Sequence, residues 1–454
     1  MNKYYPRTGK LKLWLLRFLV TAVLLVCSLF LFYSFNRGPK NQYSKTLNGV
    51  SIRQIQGRYN FYKNDKPFIV KGGAGFTHIK ELVNAGGNTI ICWDTAKLAN
   101  TFKEAVKNNV AVIVGLDIPG GDNADFYNKD SNTNLLYNNY KQIVSRYKDE
   151  PALLAWCLGN ELDMPLTFTT VPFYKTYNKL LGTIHQIDPD HPVSTATINV
   201  AKRYIFNIRW RIPALDFICI NTYNRIKTIE TDLSLIKWIW NGPYLIGEWS
   251  PNGGWEASLT TWQAPIENTS TKKAGQYAEF YTKYMPRNDP RFLGSMVFYW
   301  GNRQEYTHTW YSIFNEDDTP TETLEVLNDC WKDTVTRHHS PRLQYMLVDK
   351  LSGESNIIFA AGTAHQATVF LEKPAATDTL VYQWQIVKED WQHWGLTWDN
   401  FKKPAVQTGL MTDSLHNEIT FTAPAGEGPY RIFVTVKNPA GFCATANTPF
   451  YVVQ

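Results

Sequence analysis

Between residues 68 and 335, short apolar runs alternate with stretches whose apolar residues recur at helical spacing. The runs at 68–71, 89–93, 110–116, 153–158, 193–197, 217–221, 244–246 and 295–300 are mostly apolar from end to end, the pattern of parallel strands buried on both faces. Between them Leu98, Phe102, Ala105 and Val106 share one helical face. So do Leu136, Tyr140, Ile143, Val144 and Tyr147, and again Phe173, Tyr177, Leu180, Leu181 and Ile184. Gly86-Gly87 is a stop for a helix beginning near Thr77. A doubly wound open sheet has the same alternation, but eight β–α units predict an α/β fold closed into a (β/α)8 TIM barrel, which we place at residues 55–337. Before it, strand-like runs at 59–63 and 67–71 flank Asn64-Asp65, a hairpin suited to closing the barrel floor.

After Arg337-His338-His339-Ser340-Pro341-Arg342 the helical pattern stops. Short strand patterns at 367–371, 380–386, 418–422, 430–436 and 444–452 predict an all-β sandwich, Ig-like, over residues 345–454. At the other end, residues 13–34 are apolar apart from Arg17 and a few Ser and Thr, long enough for a transmembrane helix. The basic segment 1–12 favours a cytoplasmic N-terminus. Residues 35–54 then read as a linker to an extracytoplasmic (periplasmic or extracellular) remainder. A cleaved signal peptide is the rival, although the run is long for one.

The net charge of +6 is misleading, because residues 1–40 hold seven bases, Lys3, Arg7, Lys10, Lys12, Arg17, Arg37 and Lys40, and no acid. Removing those seven from +6 leaves −1 for the rest, which excludes a broad basic surface for nucleic acid. The six cysteines form no CxxC pair. Cys92, Cys157 and Cys219 lie in strand-like runs, as buried free thiols do. No HExxH or Cys/His spacing suggests zinc, no Gly-rich phosphate loop is evident, and no G-x-S-x-G elbow occurs. The expectation is therefore no cofactor and no metal. Aromatic content of 14% is high, in a chain with 16 Trp and 25 Tyr; such rings stack on sugars, and they also pack cores.

Chemistry concentrates at two strand ends. Ala155-Trp156-Cys157-Leu158-Gly159-Asn160-Glu161 runs an apolar strand straight into Asn-Glu, and Tyr244-Leu245-Ile246-Gly247-Glu248-Trp249 repeats the arrangement three strands later. Either alone is an ordinary loop acid. Together, on opposite sides of a barrel mouth, they make the carboxyl pair that glycoside hydrolysis requires: one acid protonates the leaving oxygen and one carboxylate attacks the anomeric carbon. Glu161 is then the acid/base, holding a proton, and Glu248 the anionic nucleophile, with Tyr223 a hydrogen-bond donor to it and Asn160 a ligand for the sugar 2-hydroxyl.

Trp156 to Glu161 resembles the W-x-x-G-N-E signature of clan A glycoside hydrolases, closest to the family-two barrel. The resemblance covers about residues 55–335. It implies that Glu161 is the acid/base, Glu248 the nucleophile and Tyr223, in Asn221-Thr222-Tyr223, the residue supporting it, with Trp300 in the aromatic floor of the substrate subsite. The chain departs from that family in carrying its sandwich after the barrel, and in having Ile91-Cys92-Trp93-Asp94 where an Arg is usual near the end of strand two. A further resemblance is to bacterial membrane-anchored barrels with a Gly-Glu-Trp strand-seven end and a Tyr-Trp-Gly-Asn-Arg-Gln strand-eight end, implying a bacterial origin.

Trp93, Trp249, Trp255, Trp262 and Trp300 are candidates to stack on sugar, with loop packing the alternative. Asp94 and Asp117 are either hydroxyl ligands or helix caps. Asn302, Gln304 and Glu305 follow strand eight. Trp384, Trp391, Trp394 and Trp398 in the sandwich either bind glycan or pack against the barrel. The sequence thus predicts a retaining β-glycoside hydrolase acting on an oligo- or polysaccharide. A transglycosylase remodelling a β-glucan and a non-catalytic, anchored carbohydrate-binding protein are the alternatives. The predicted partners are a carbohydrate substrate and, through the N-terminal helix, a membrane.

Overall fold

The computed structural model of the chain describes residues 8–36, 49–165, 171–372, 379–390, 402–411 and 415–454. Helix α1 (Thr8–Asn36) comes first. A three-stranded antiparallel sheet follows, of β1 (Val50–Ile55), β2 (Arg58–Lys63) and β3 (Lys66–Phe68). Asn64 and Asp65 both take positive φ, 52° and 58°, in the β2–β3 turn, the backbone of a tight hairpin. This sheet plugs the barrel from below: Phe61 packs edge-on against Phe217, and the Tyr59 amide donates to the Pro290 carbonyl.

Eight parallel strands close the barrel: β4 (Val70–Ala74), β5 (Thr89–Cys92), β6 (Ala111–Leu116), β7 (Leu153–Leu158), β8 (Val193–Ile198), β9 (Phe217–Thr222), β10 (Tyr244–Trp249) and β11 (Phe292–Val297), with β11 pairing β4. Helices α2 (Ile79–Asn84), α3 (Leu98–Lys107), α4 (Ala124–Tyr127), α5 (Asp130–Tyr147), α6 (Val171–Ile187), α7 (Lys202–Arg211), α8 (Ile229–Leu235), α9 (Ser270–Glu279) and α10 (Glu322–Lys332) lie between or after the strands. The strands are continuously apolar because they serve two cores. Leu154, Ala155, Cys157, Ala196, Cys219 and Leu245 belong to the barrel interior. Leu153, Trp156, Leu158, Ile218 and Ile220 belong to the layer beneath the helices. The one polar atom of Trp156 is satisfied there, its Nε1 donating to Asp188 Oδ2 at 2.7 Å. Cys92, Cys157 and Cys219, in β5, β7 and β9, are buried free thiols.

The C-terminal part is two facing sheets. One orders β12 (Leu343–Val348), β14 (Ala364–Leu371) and β16 (Glu418–Thr422). The other orders β13 (Ile358–Ala360), β18 (Cys443–Val453), β17 (Gly428–Lys437) and β15 (Val381–Lys388). Trp384 belongs to the core between them, its Nε1 donating to the His416 carbonyl, and is not a surface platform for glycan. Trp391, Trp394 and Trp398 lie outside the described residues.

The transmembrane helix expected at 13–34 falls within α1. Among the described residues no helix is long and apolar enough to cross a membrane, so the fold does not support a span. The α1 side chains that are described, at 14–29, are all exposed.

Candidate active site

The two strand-end glutamates are aimed by different backbone devices. After β7 the chain turns sharply through Gly159, at φ 84°, and Glu161, at φ 49°. The φ at Gly159 strains any residue but glycine, and a Cβ there would also press on Leu162 Cδ1 at 2.3 Å. A non-glycine residue held in the left-handed region is uncommon, and Glu161 is tied there by its amide, which donates to the Ala196 carbonyl at 3.1 Å. Asn221 Nδ2, at the end of β9, donates to Glu161 Oε1 at 3.0 Å and to Asn160 Oδ1 at 3.2 Å. One amide therefore orients both members of the Asn-Glu pair.

Glu248 is aimed by a bulge. In the β9–β10 pairing Ile246 faces Ile220, yet Glu248 faces Asn221, so β10 carries one extra residue, Gly247. Without the bulge, strict alternation from Ile246 would turn Trp249 inward. With it Glu248 joins Asn221 on the inner face, and Trp249 turns to the helical layer. Tyr223 Oη donates to Glu248 Oε2 at 3.0 Å. The Tyr223 ring is held edge-on by Trp255 at 5.0 Å and by Phe298 at 6.0 Å.

A third carboxyl completes the cluster. Arg303 and Glu305 follow β11, and Arg303 Nε donates to Glu305 Oε2 at 2.6 Å. The guanidinium lies 5.5 Å above the rings of both Phe298 and Tyr299. Burial raises the proton affinity of Glu161, the Asn221 donor opposes it, and the charge of Glu305 adds to it. Glu248 is pushed up further, by burial first and then by Glu161, with Tyr223 and Arg303 opposing. Glu305 is also raised, chiefly by burial. Burial and neighbouring anions push the Tyr223 hydroxyl well above the usual tyrosine range, so it stays a donor. Glu161 and Glu248 are thus both pushed toward the protonated form in the free site. Three buried carboxyls share one site, and burial pushes each of them toward its protonated form.

Not every sequence candidate reaches this cluster. Trp300 is fully buried. It stacks on Trp331 of α10, and its Nε1 donates to the His78 carbonyl, so it is an outer-layer residue and not a sugar floor. Trp249 is equally buried, between Tyr277 and Tyr281. Trp262 packs near Tyr451 of β18. Asp94 caps the turn after β5, its Oδ1 accepting from the Ala96 amide at 3.0 Å. Trp93 packs with the barrel interior, its ring over Gly115, and Trp255 is 55% exposed beside Tyr223. Burial raises the carboxyl of Asp117 at the end of β6. The side chains that motif reading undervalued are Asn221, Arg303, Tyr299, Tyr306 and Tyr311. Asn221 stood in the Asn-Thr-Tyr end of β9, and the signal for the other four was the polar and aromatic run after β11, where Trp300 drew attention one residue past Tyr299. A cavity of about 500 Å³ opens at the opposite end of the barrel, lined by Tyr59, Lys237, Asp289 and Arg291 among others, remote from the carboxyls.

A closed eight-stranded parallel barrel thus carries Glu161 just past its fourth strand and Glu248 near the end of its seventh, the two strand ends singled out by their motifs. The chain is 37% identical over 76 residues to mannan endo-1,4-β-mannosidase F of Aspergillus clavatus, covering 17% of each chain. It is 26% identical over 189 residues to a probable mannan endo-1,4-β-mannosidase F of Neosartorya fischeri, covering 36% of this chain and 40% of that protein. The matches thus span well under half the length of these curated relatives. Among solved structures, an endo-β-1,4-mannanase from Thermotoga petrophila aligns over 86% of this chain and 99% of its own, at 13% identity and a TM-score of 0.42. A Bacteroides uniformis β-glucuronidase aligns over 89% of this chain and 48% of its own, at 11% identity and a TM-score of 0.48. No family model matches the chain.

Proposed function

We propose that the protein is a retaining β-glycosidase that cleaves an O-glycosidic bond in an oligo- or polysaccharide by double displacement. The observation that carries this is the convergence of Glu161 and Glu248 on one barrel mouth, each held by its own donor, Asn221 and Tyr223. Glu248 ionises against the Tyr223 hydroxyl and attacks the anomeric carbon. Glu161 gives its proton to the leaving oxygen, then takes one from water as the glycosyl-enzyme is hydrolysed. Trp93, Trp255 and Asn160 would contact substrate. Retention requires carboxyl groups about 5–5.5 Å apart. Because the curated matches are named as mannan endo-1,4-β-mannosidases, β-1,4-mannan heads the substrate panel.

The test is turnover of β-linked oligosaccharides and aryl β-glycosides, with trapping of the covalent intermediate by a fluorinated glycoside. Label should fall on Glu248, and Glu161→Gln and Glu248→Gly should each be inactive while folded. Full turnover by either variant would end the assignment. Chain-length analysis of products separates hydrolysis from glycosyl transfer, and binding without turnover would leave a carbohydrate-binding protein.

The proposal extends to location, an anchor through α1 with the barrel outside the cytoplasm. Its support is the sequence. The sequence is apolar, Arg17 and a few Ser and Thr aside, from Leu13 to Tyr33, about the length that crosses a bilayer core, after a basic flank. Carbonate extraction of membranes, with protease protection to fix the side, tests it. Release of the chain by carbonate would remove the anchor.

A further inference from the structure

The segment after β11 carries Arg303, Glu305, Tyr306 and Tyr311 toward the carboxyl cluster, yet it has almost no regular structure of its own. Its order comes from elsewhere. Lys273 on α9 donates through Nζ to the carbonyls of Thr309, at 2.6 Å, and Trp310, at 3.1 Å. Lys273 also pairs with Glu267 Oε1 at 2.7 Å. Glu267 Oε2 accepts from the Thr307 hydroxyl at 2.6 Å, from the Thr309 hydroxyl at 3.1 Å and from Asn447 Nδ2, on β18, at 2.7 Å. The neighbouring His308 ring packs 4.4 Å from the Phe433 ring of β17, and its Nε2 lies 3.0 Å from Gln385 Nε2 of β15. The segment's far end is fixed as well, the Cys443 amide donating to the Pro320 carbonyl at 2.9 Å. Glu267, Lys273, Thr307, His308 and Thr309 are all buried.

Three strands of the second domain therefore grip one active-site segment of the first through buried polar groups, which cost stability unless every one is paired. An inert appendage has no need of such a junction. Burial, with Lys403 adding to it, pushes His308 down to about 3. It is thus neutral and able to accept from the Gln385 amide. Burial alone would raise Glu267, but Lys273 and the hydroxyl donors hold it below the usual carboxylate range, so it remains the anionic hub.

We propose that the C-terminal sandwich is a positioning element of the catalytic site: Asn447 and Gln385 hold the segment 303–311 so that Glu305 and Arg303 stay beside Glu161 and Glu248. Asn447 and Gln385 are positioning residues and touch no substrate. This rests on the function proposed above, and it assigns the second domain a role other than binding glycan.

The test uses the full chain. Asn447→Ala should lower kcat about tenfold or more with little change in KM, because the pocket remains but the charges around the carboxyls move. In a Glu305→Gln background the same substitution should cost much less, since the group it positions is already altered. Hydrogen exchange should quicken at the amides of 303–311 and stay unchanged in β7 and β10. If Asn447→Ala does not fold, Gln385→Ala, at the half-buried edge of the junction, carries the same measurements. A kcat within twofold of wild type, a loss that adds fully to that of Glu305→Gln, or unaltered exchange in 303–311 would overturn the inference. If the wild-type chain turns over no glycoside, the functional reading fails, and the exchange result alone decides whether the sandwich orders the segment.

Discussion

Tyr223→Phe isolates one hydroxyl. The Tyr223 ring contacts Trp255, Phe298 and Tyr311, with centroids 5.0, 6.0 and 5.8 Å away. Phenylalanine keeps these contacts, so packing is nearly conserved. What disappears is the 3.0 Å donor to Glu248 Oε2, which opposes the burial and the Glu161 charge that together push this carboxyl up. A hydrogen bond to a charged group contributes about 1.5–3 kcal/mol. At about 1.36 kcal/mol per tenfold in rate, its loss predicts a fall in kcat/KM of roughly 10- to 150-fold. The sign of the pH effect follows from the same bond. The donor favours the ionised form, its removal raises the proton affinity of Glu248 further, and the acid limb of the pH–kcat/KM profile moves to higher pH. The deficit should therefore be largest at low pH and shrink as pH rises. The assay is steady-state hydrolysis of an aryl β-glycoside across the pH range, with circular dichroism to show the fold intact. A kcat/KM within twofold of wild type at low pH, or a uniform loss with no movement of the acid limb, would refute the claim that Tyr223 acts by keeping Glu248 ionised.

Stability should report the same burial. Because the folded-state proton affinity of Glu248 is raised, the native chain holds a proton that the unfolded chain releases once pH exceeds the ordinary carboxylate range. Stability is then lost as pH climbs through the folded value. Glu248→Gln removes that loss, so its Tm should exceed wild type by a margin that widens with pH, measured by scanning calorimetry; an equal or narrowing margin contradicts the assignment. Gly115→Ala tests the mouth. Its added Cβ would lie 2.1 Å from the Trp93 ring, so the indole must move, at about 1–3 kcal/mol. Both a lower Tm and a higher KM are expected, and an unchanged KM would remove Trp93 from the substrate surface.

How much of this was legible in the sequence turns on what the chain encodes locally. The barrel was legible because each strand carries its own continuous apolar run, and because eight such runs recur at βα spacing. The carboxyl pair was legible because Glu161 and Glu248 each break such a run at its C-terminal end. Direction within a strand end was not. The side that Trp249 faces depends on one extra residue, Gly247, whose effect appears only in the pairing of β10 with β9. The adjacent tryptophan was thus assigned to the wrong layer while the glutamate was assigned to the right one. Trp300 failed for a related reason: its partner Trp331 lies in a helix thirty-one residues on, and nothing near Trp300 in the chain announces it. Proton affinities were less legible still, because they sum over groups from several strands. Glu161 and Glu248 looked separable as acid and nucleophile when each was read with its own neighbours. Glu305 bears on both of them from a third strand end. Which carboxyl is protonated is therefore a property of the assembled mouth, and substrate, by displacing water and adding its own hydroxyls, takes part in setting it. The division of roles between the two glutamates is accordingly best sought in the pH dependence of the Glu305→Gln variant. Removing that charge lowers the proton affinity of both carboxyls, and both limbs of the kcat/KM profile should shift toward acid. A shift in one limb alone would mean that Glu305 serves only one of the two.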